Sequence, residues 1–167
     1  MPEDLVRGIN VIQLNRLTDE EMRLIGNAVI REIFTNMEDQ NPIFSRVVVF
    51  FDELNKFAPK RTSAPVKRQI IDLVARGRAM NFTLIGAEQF ASQIDDEVFG
   101  NSVTKLIGYS EISEIKNSIY NPIGELRALV PYLKKGQVIM RHPAYPSPMI
   151  VYFPIPLLIV IPNEPES

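Results

Sequence analysis

Asp52 and Glu53 stand at the end of an unbroken apolar run, Val47-Val48-Val49-Phe50-Phe51. Burying two adjacent carboxylates is costly unless a cation or hydrogen-bond donors satisfy them. At the carboxyl end of a parallel strand, where ligands bind in open α/β sheets, such a pair has a use. In nucleotide hydrolysis one acid can hold the Mg²⁺ shell and the next can polarise the attacking water. Asp52 then is the Mg²⁺ residue and Glu53 the general base. The same two residues also suit a helix N-cap followed by a solvated glutamate, so the pair by itself leaves both readings open.

Two further features have chemistry of the same kind. The run Phe82-Thr83-Leu84-Ile85-Gly86-Ala87 is followed at once by Glu88 and Gln89. A polar residue at such a strand tip can touch a γ-phosphate or the attacking water, although an ordinary strand terminus looks the same. Arg76-Gly77-Arg78 closes a helical stretch. A guanidinium offers a planar fork of donors to a developing phosphoryl charge. Cations at a helix C-terminus equally favour the helix dipole, and a glycine there can end the helix. Lys56, Lys60, Arg61, Lys67 and Arg68 cluster in and after the segment that follows Glu53. They could meet nucleic-acid phosphates or lie on a solvated loop. Phe57, set among them, reads as a core residue rather than a base-stacking one.

The elements that must position these residues alternate. Residues 9–14 (INVIQL) read as a strand. Thr18 and Glu21 form a capping box that opens a helix, with Met22, Ile25, Val29, Ile33 and Phe34 on its inner face and an end near 37–40. Residues 46–52 predict a central parallel strand covered on both faces. A Pro-containing basic loop, 55–65, leads to a helix over 66–78 with Ile70, Leu73 and Val74 inward. Strands follow at 82–87 and 103–109, with a helical or turn segment near 94–101 between them. Short helices are expected over 111–119 and 122–131. Residues 137–141 and 149–153 predict a hairpin joined by a Pro-rich turn. Seven of the thirteen prolines lie from Pro143 onward, and 154–167 reads as a C-terminal tail. The alternation predicts βαβ units in one α/β domain over residues 1–153: a three-layer αβα arrangement on a mostly parallel sheet, with a C-terminal β-hairpin.

Composition narrows the function classes. Apolar residues make up 46% of the 167 and charged residues 23%, as in an ordinary globular domain. The net charge of −2 excludes a histone-like polycation. With no cysteine there is no disulfide scaffold and no thiolate zinc site. A single histidine, His142, argues against a His-based triad or His metal cluster. No run is apolar for 18 residues, so no membrane span is expected, and a cytoplasmic protein is the default expectation. The nearest candidate, 149–160, is short and interrupted by Pro154 and Pro156.

The order of the motifs resembles the second half of the HerA/FtsK superfamily core, a RecA-like P-loop NTPase fold. In that family a strand ending in Walker B acids precedes a stretch like Asp52-Glu53-Leu54-Asn55-Lys56-Phe57-Ala58-Pro59. A helix then ends in a Gly-Arg pair, matched by Gly77 and Arg78. A strand with a sensor glutamine follows, matched by Gln89, with a stretch like Ala91-Ser92-Gln93-Ile94 beyond it. Leu133-Lys134-Lys135-Gly136-Gln137-Val138 resembles a late Gly-containing strand of the family. The resemblance covers about residues 9–153 and looks closest to HerA-like helicase-translocases. It implies ATP and Mg²⁺ as cofactors, a homo-oligomeric and hexameric ring, DNA as the cargo and a nuclease as a further partner. It implies that Arg78 serves a neighbour's nucleotide, with Arg76 as the alternative finger, and that Lys56, Lys60 and Arg61 face DNA. Secretion and conjugation ATPases share the layout, and a non-catalytic interaction module of the same fold is a third expectation.

The sequence departs from the family at Asn55, where a His is frequent, and at Ala79, where a Lys is frequent. It also contains no G-x-x-x-x-G-K-[ST], so nothing in it cradles β- and γ-phosphates. A phosphate loop encoded upstream of a segment like 9–14 is the economical expectation.

Overall fold

The structure is a computed structural model that describes residues 8–39, 45–63 and 65–154. The chain divides into two compact units, residues 1–103 and 104–167, where the sequence suggested one domain through 153. Most of the expected tail, 155–167, lies outside the described residues.

The first unit opens with residues 8–14, which form no strand. Ile9 is almost fully and Val11 largely exposed, and no described strand lies beside them. The expected first strand is therefore not seen: an apolar run becomes a strand only where a neighbour takes its backbone hydrogen bonds. Helix α1, Asp19–Glu38, begins where the capping box places it. Thr18 Oγ1 accepts from the Glu21 amide at 3.4 Å, and the Thr18 amide donates to Glu21 Oε2 at 2.8 Å. These hydrogen bonds hold the Glu21 carboxyl below its ordinary pKa. Met22, Gly26, Ile30 and Ile33 are the buried residues of α1. Ile25, Val29 and Phe34, expected inside, lie half-buried at the edge of that stripe.

Strand β1, Val47–Phe51, and strand β2, Phe82–Gly86, pair in parallel, with Val47 opposite Phe82 and Phe51 opposite Gly86. Helix α2, Pro65–Arg76, connects them and packs on α1. Its buried residues are Val66, Ile70 and Leu73. A 3₁₀ turn, Gly77–Met80, leads from α2 into β2. Helix α3, Asp96–Asn101, follows and buries Val98. One core joins α1, α2, α3, β1 and β2 with Leu54, Phe57 and Ala58. Among the described residues the helices cover a single face of the pair. The other face carries Val48, Phe50 and Ile85, 56%, 61% and 47% exposed among the described residues, where cover on both faces was expected.

The second unit is antiparallel. Strand β3, Lys105–Ile107, pairs with β4, Gln137–Arg141, and β4 with β5, Met149–Tyr152. The late hairpin is thus present, but the strand expected at 103–109 joins it rather than a parallel sheet. Helix α4, Ile112–Ile115, is one turn. Residues Ser118–Tyr132 are 3₁₀ rather than α-helical, broken at Gly124 (φ 56°, ψ −134°) and containing Pro122 and Pro131. Two prolines without amide donors and a glycine break leave no room for a continuous i→i−4 ladder. Ile115, Tyr120, Ile123, Val130, Leu133 and Ile139 are buried. The buried Glu114 carboxylate accepts from Tyr120 Oη at 3.1 Å and Asn117 Nδ2 at 3.3 Å.

Gly26 decides how closely α1 approaches the segment after β1. A Cβ there would stand 2.8 and 3.0 Å from two ring carbons of the buried Phe57. Gly26→Ala gains about 1 kcal/mol of helix propensity against about 1–3 kcal/mol of overpacking. We expect a net loss of stability, read as a lower midpoint in urea unfolding.

Candidate functional site at the strand tips

The parallel register brings the carboxyl ends of β1 and β2 side by side. The ladder continues past the strands: the Ala87 amide donates to the Phe51 carbonyl at 2.9 Å, and the Leu54 amide to the Ala87 carbonyl at 3.1 Å. Asp52-Glu53 therefore lie beside Glu88-Gln89. Asp52 is exposed and makes no hydrogen bond or short ion pair with the described residues. Glu53 adopts φ 55°, one of two positive-φ non-glycine residues among those described. For a residue with a Cβ this conformation is strained and persists only where the surroundings enforce it.

The surroundings here are well defined. After Glu53 the chain makes a 3₁₀ turn, Leu54–Lys56. Leu54, Phe57 and Ala58 are buried, and Phe57 packs on Phe51 with ring centroids 4.8 Å apart, so the expected core role of Phe57 holds. Gly86 makes room for Leu54, since a Cβ there would fall 2.4 Å from Leu54 Cδ2. The Glu53 carboxylate pairs with Lys56 Nζ. That bond, against some desolvation, raises the Lys56 pKa. Arg23 Nε donates to the Lys56 carbonyl at 2.6 Å.

Two residues to which the sequence assigns no separate role, Glu88 and Gln93, organise the site. Glu88 Oε2 accepts from the Asn55 amide at 2.8 Å, and Oε1 from the Gln89 amide at 2.7 Å and the Phe90 amide at 3.2 Å. Gln93 Oε1 accepts from Asn55 Nδ2 at 2.8 Å. Glu88 had a visible signal, an acid directly after an apolar strand. Its partner 33 residues earlier had none.

The basic segment is zipped to residues 93–96. The Lys60 amide donates to the Gln93 carbonyl and the Asp95 amide to the Ala58 carbonyl. Lys60 Nζ pairs with Asp96 at 2.7 Å. Lys67 Nζ, largely buried, pairs with Asp95 at 2.7 Å and donates to the Pro59 carbonyl at 2.9 Å. Arg61 and Arg68 are exposed, without an ion pair among the described residues. Three of the five clustered cations thus carry a carboxylate partner of their own.

The arginines lie elsewhere. Arg78 belongs to the 3₁₀ turn that enters β2, at the amino end of the strand whose carboxyl end leads to Gln89. Arg76 sits over the Phe34 ring, 4.8 Å from its centroid, and pairs with Glu38 at 3.4 Å. Gln89 is exposed beyond the β2 tip.

No protein-family model matches the chain. No curated protein matches it either. Solved structures do. The genome-packaging NTPase B204 of Sulfolobus turreted icosahedral virus 2, in complex with ATP-gammaS, superposes with a TM-score of 0.65 at 15% identity, over 92% of this chain and 71% of that one. The DNA-packaging ATPase B204 of Sulfolobus turreted icosahedral virus gives 0.62 at 18% identity, over 89% and 74%. The bacterial conjugative coupling protein TrwB gives 0.59 at 10% identity, over 83% of this chain but only 39% of that one. The chain has the fold of a partial P-loop NTPase core. At these identities the likeness carries the fold of the core and agrees with the HerA/FtsK resemblance of the motifs.

The exposed carboxylate at the strand tip would suit a Mg²⁺ ion held jointly with a phosphate ligand. No cluster of three metal-ligating side chains exists among the described residues, while Asp52 is exposed at the strand tip. Mg²⁺ is usually held by one or two carboxylates together with waters and substrate phosphates.

The Lys67–Asp95 pair has a pH signature. Burial raises the Asp95 pKa, but the Lys67 hydrogen bond, the Glu97 amide, the Lys67 charge and the Val98 amide outweigh it, and the net shift is downward. The stabilisation it supplies is complete above the ordinary Asp pKa. It is lost as pH falls through the depressed folded value. Asp95→Asn should cost about 1.5–3 kcal/mol at neutral pH, the scale of a hydrogen bond to a charged group. It should also flatten the acid limb of the stability–pH curve measured by urea unfolding.

Proposed function

We propose that this chain is the Walker B and sensor half of a ring-forming, ATP-hydrolysing DNA translocase of the HerA type. The observation that carries the reading is the in-register β1–β2 pair, which places Asp52 and Glu53 beside the Glu88-Gln89 tip. Asp52 would hold Mg²⁺ through water, and the chemistry such an ion would supply is neutralisation of phosphate charge. Glu53 takes the proton of the attacking water. Gln89 contacts the γ-phosphate. The phosphate loop comes from outside these 167 residues, since their sequence holds none. Packaging of viral DNA, in the manner that the name of B204 gives for that protein, is one form of such translocation. The likeness to a conjugative coupling protein supports a second reading, a conjugation or secretion motor.

The assembly we propose is a cytoplasmic homo-oligomeric ring, a hexamer, working with a nuclease. Arg61 is exposed and makes no ion pair among the described residues, so it is the loop's first candidate phosphate contact. Lys60 and Lys56 would exchange their carboxylate partners for DNA phosphates. Arg78 acts in trans. A five-residue strand spans about 17 Å, further than an arginine side chain reaches from the amino end of β2 to its own nucleotide at the tip. Arg76, held by Glu38 and Phe34, is the alternative.

This chain alone should show no ATP turnover above background. In the protein that unites it with a phosphate loop, Glu53→Gln should leave ATP binding intact and lower kcat by roughly two orders of magnitude or more. An unchanged kcat removes Glu53 from the mechanism. Mixing Arg78→Ala subunits with Glu53→Gln subunits, each inactive alone, should restore turnover in some rings. Mixed rings that form but stay inactive at every ratio exclude the trans role.

A further inference from the structure

Glu53 and Gln89 are useful only at a fixed separation, and neither fixes itself. Glu53 sits in a strained left-handed turn, and Gln89 is exposed beyond the end of β2. Main-chain pairing between the two strands stops at the bond from the Leu54 amide to the Ala87 carbonyl. From there the ladder is carried by a side chain. One carboxylate oxygen of Glu88 takes the Asn55 amide, two residues past Glu53, and the other takes the amides of Gln89 and Phe90.

We propose that Glu88 is a positioning residue for hydrolysis: its carboxylate clamps the turn that presents Glu53 to the turn that presents Gln89. The inference rests on the reading of those two residues given above, but the clamp itself is a property of this chain. A carboxylate suits the task because both oxygens are acceptors and all three partners are donors. The Glu53 turn is then held on three sides. The Leu54 amide is bonded to the Ala87 carbonyl just past β2, the Asn55 amide to Glu88, and the Glu53 carbonyl accepts the Lys56 amide. The left-handed conformation of Glu53 is over-determined in the way that such strain requires. Loss of one side should let the acid swing away from the strand tip without unfolding the sheet, because the core beneath is apolar and independent of Glu88.

Glu88→Gln tests the clamp with little change in size. An amide has one acceptor oxygen, and its NH₂ would face an N–H donor, so it can serve one turn and not both. The first arm uses this chain and amide hydrogen exchange. Protection at Asn55, or at Gln89 and Phe90, should fall about tenfold, the scale of one net hydrogen bond. The Ala87 amide, bonded to β1, should stay within about twofold and so report intact strands. Unchanged protection at all three positions overturns the clamp whatever the chain does with ATP. The second arm uses the ATPase complete with its phosphate loop. Glu88→Gln should lower kcat about tenfold or more and leave the KM for ATP within about twofold. A raised KM at unchanged kcat would make Glu88 a nucleotide contact instead and overturn the positioning role. So would lost protection with unchanged kinetics. Glu53→Gln run alongside separates the two ideas: if it too leaves kcat unchanged, the reading of Glu53 has failed, while the exchange arm still decides the clamp.

Discussion

The parallel pairing of β1 with β2 is the constraint on which the candidate site depends. With Val47 opposite Phe82 and Phe51 opposite Gly86, both strands end at the same level. Any polar residue just past either end is then delivered to one place. A slip of one residue would turn the shifted strand's inward side chains to the other face. The helices make such a slip costly, because Phe51 and Phe82 sit in the same apolar core as Ile30, Ile70 and Leu73. Core packing therefore sets the register, and the register sets how Asp52 and Glu53 stand relative to Gln89.

The second determinant is how the chain leaves β1. A basic segment directly after a strand suggests a mobile loop, yet Leu54–Ala58 is inserted in the core and the next residues are bonded to 93–96. Two glycines permit this. Gly86 admits Leu54 against β2, and Gly26 admits the Phe57 ring against α1. Carboxylates then neutralise Lys56, Lys60 and Lys67. The strand-tip acids are thus mounted on a bracket rather than a loose loop. That rigidity suits the hydrolytic role proposed for the two acids.

The apolar outer face of β1 and β2 shows the limit of what this unit completes by itself. Parallel strands are ordinarily buried on both sides, and a two-stranded sheet is marginal without further cover. Among the described residues helices cover one side only. The residues on the bare face, Val48, Phe50 and Ile85, are as apolar as those on the packed one.

The sequence by itself determined the elements with strong local chemistry. The capping box placed the start of α1, the apolar runs placed β1 and β2, and the hairpin at the end followed from strand patterns flanking a Pro-rich turn. It also set the order of acids, arginines and glutamine from which the P-loop NTPase resemblance was read. Tertiary structure decided the rest, because those choices depend on partners distant in sequence. Residues 9–14 are apolar enough for a strand but have no neighbour among the described residues to bond with. Residues 105–107 could have joined a parallel sheet, but antiparallel partners at 139–141 took them. Glu88 looked like one half of a strand-tip pair, until the Asn55 amide, 33 residues earlier, gave its carboxylate a second turn to hold. Lys60 and Lys67 read as free cations until folding brought Asp96 and Asp95 to them. A local pattern encodes hydrogen bonds and burial within a few residues. Which carboxylate meets which cation across more than twenty residues is fixed only when the core closes.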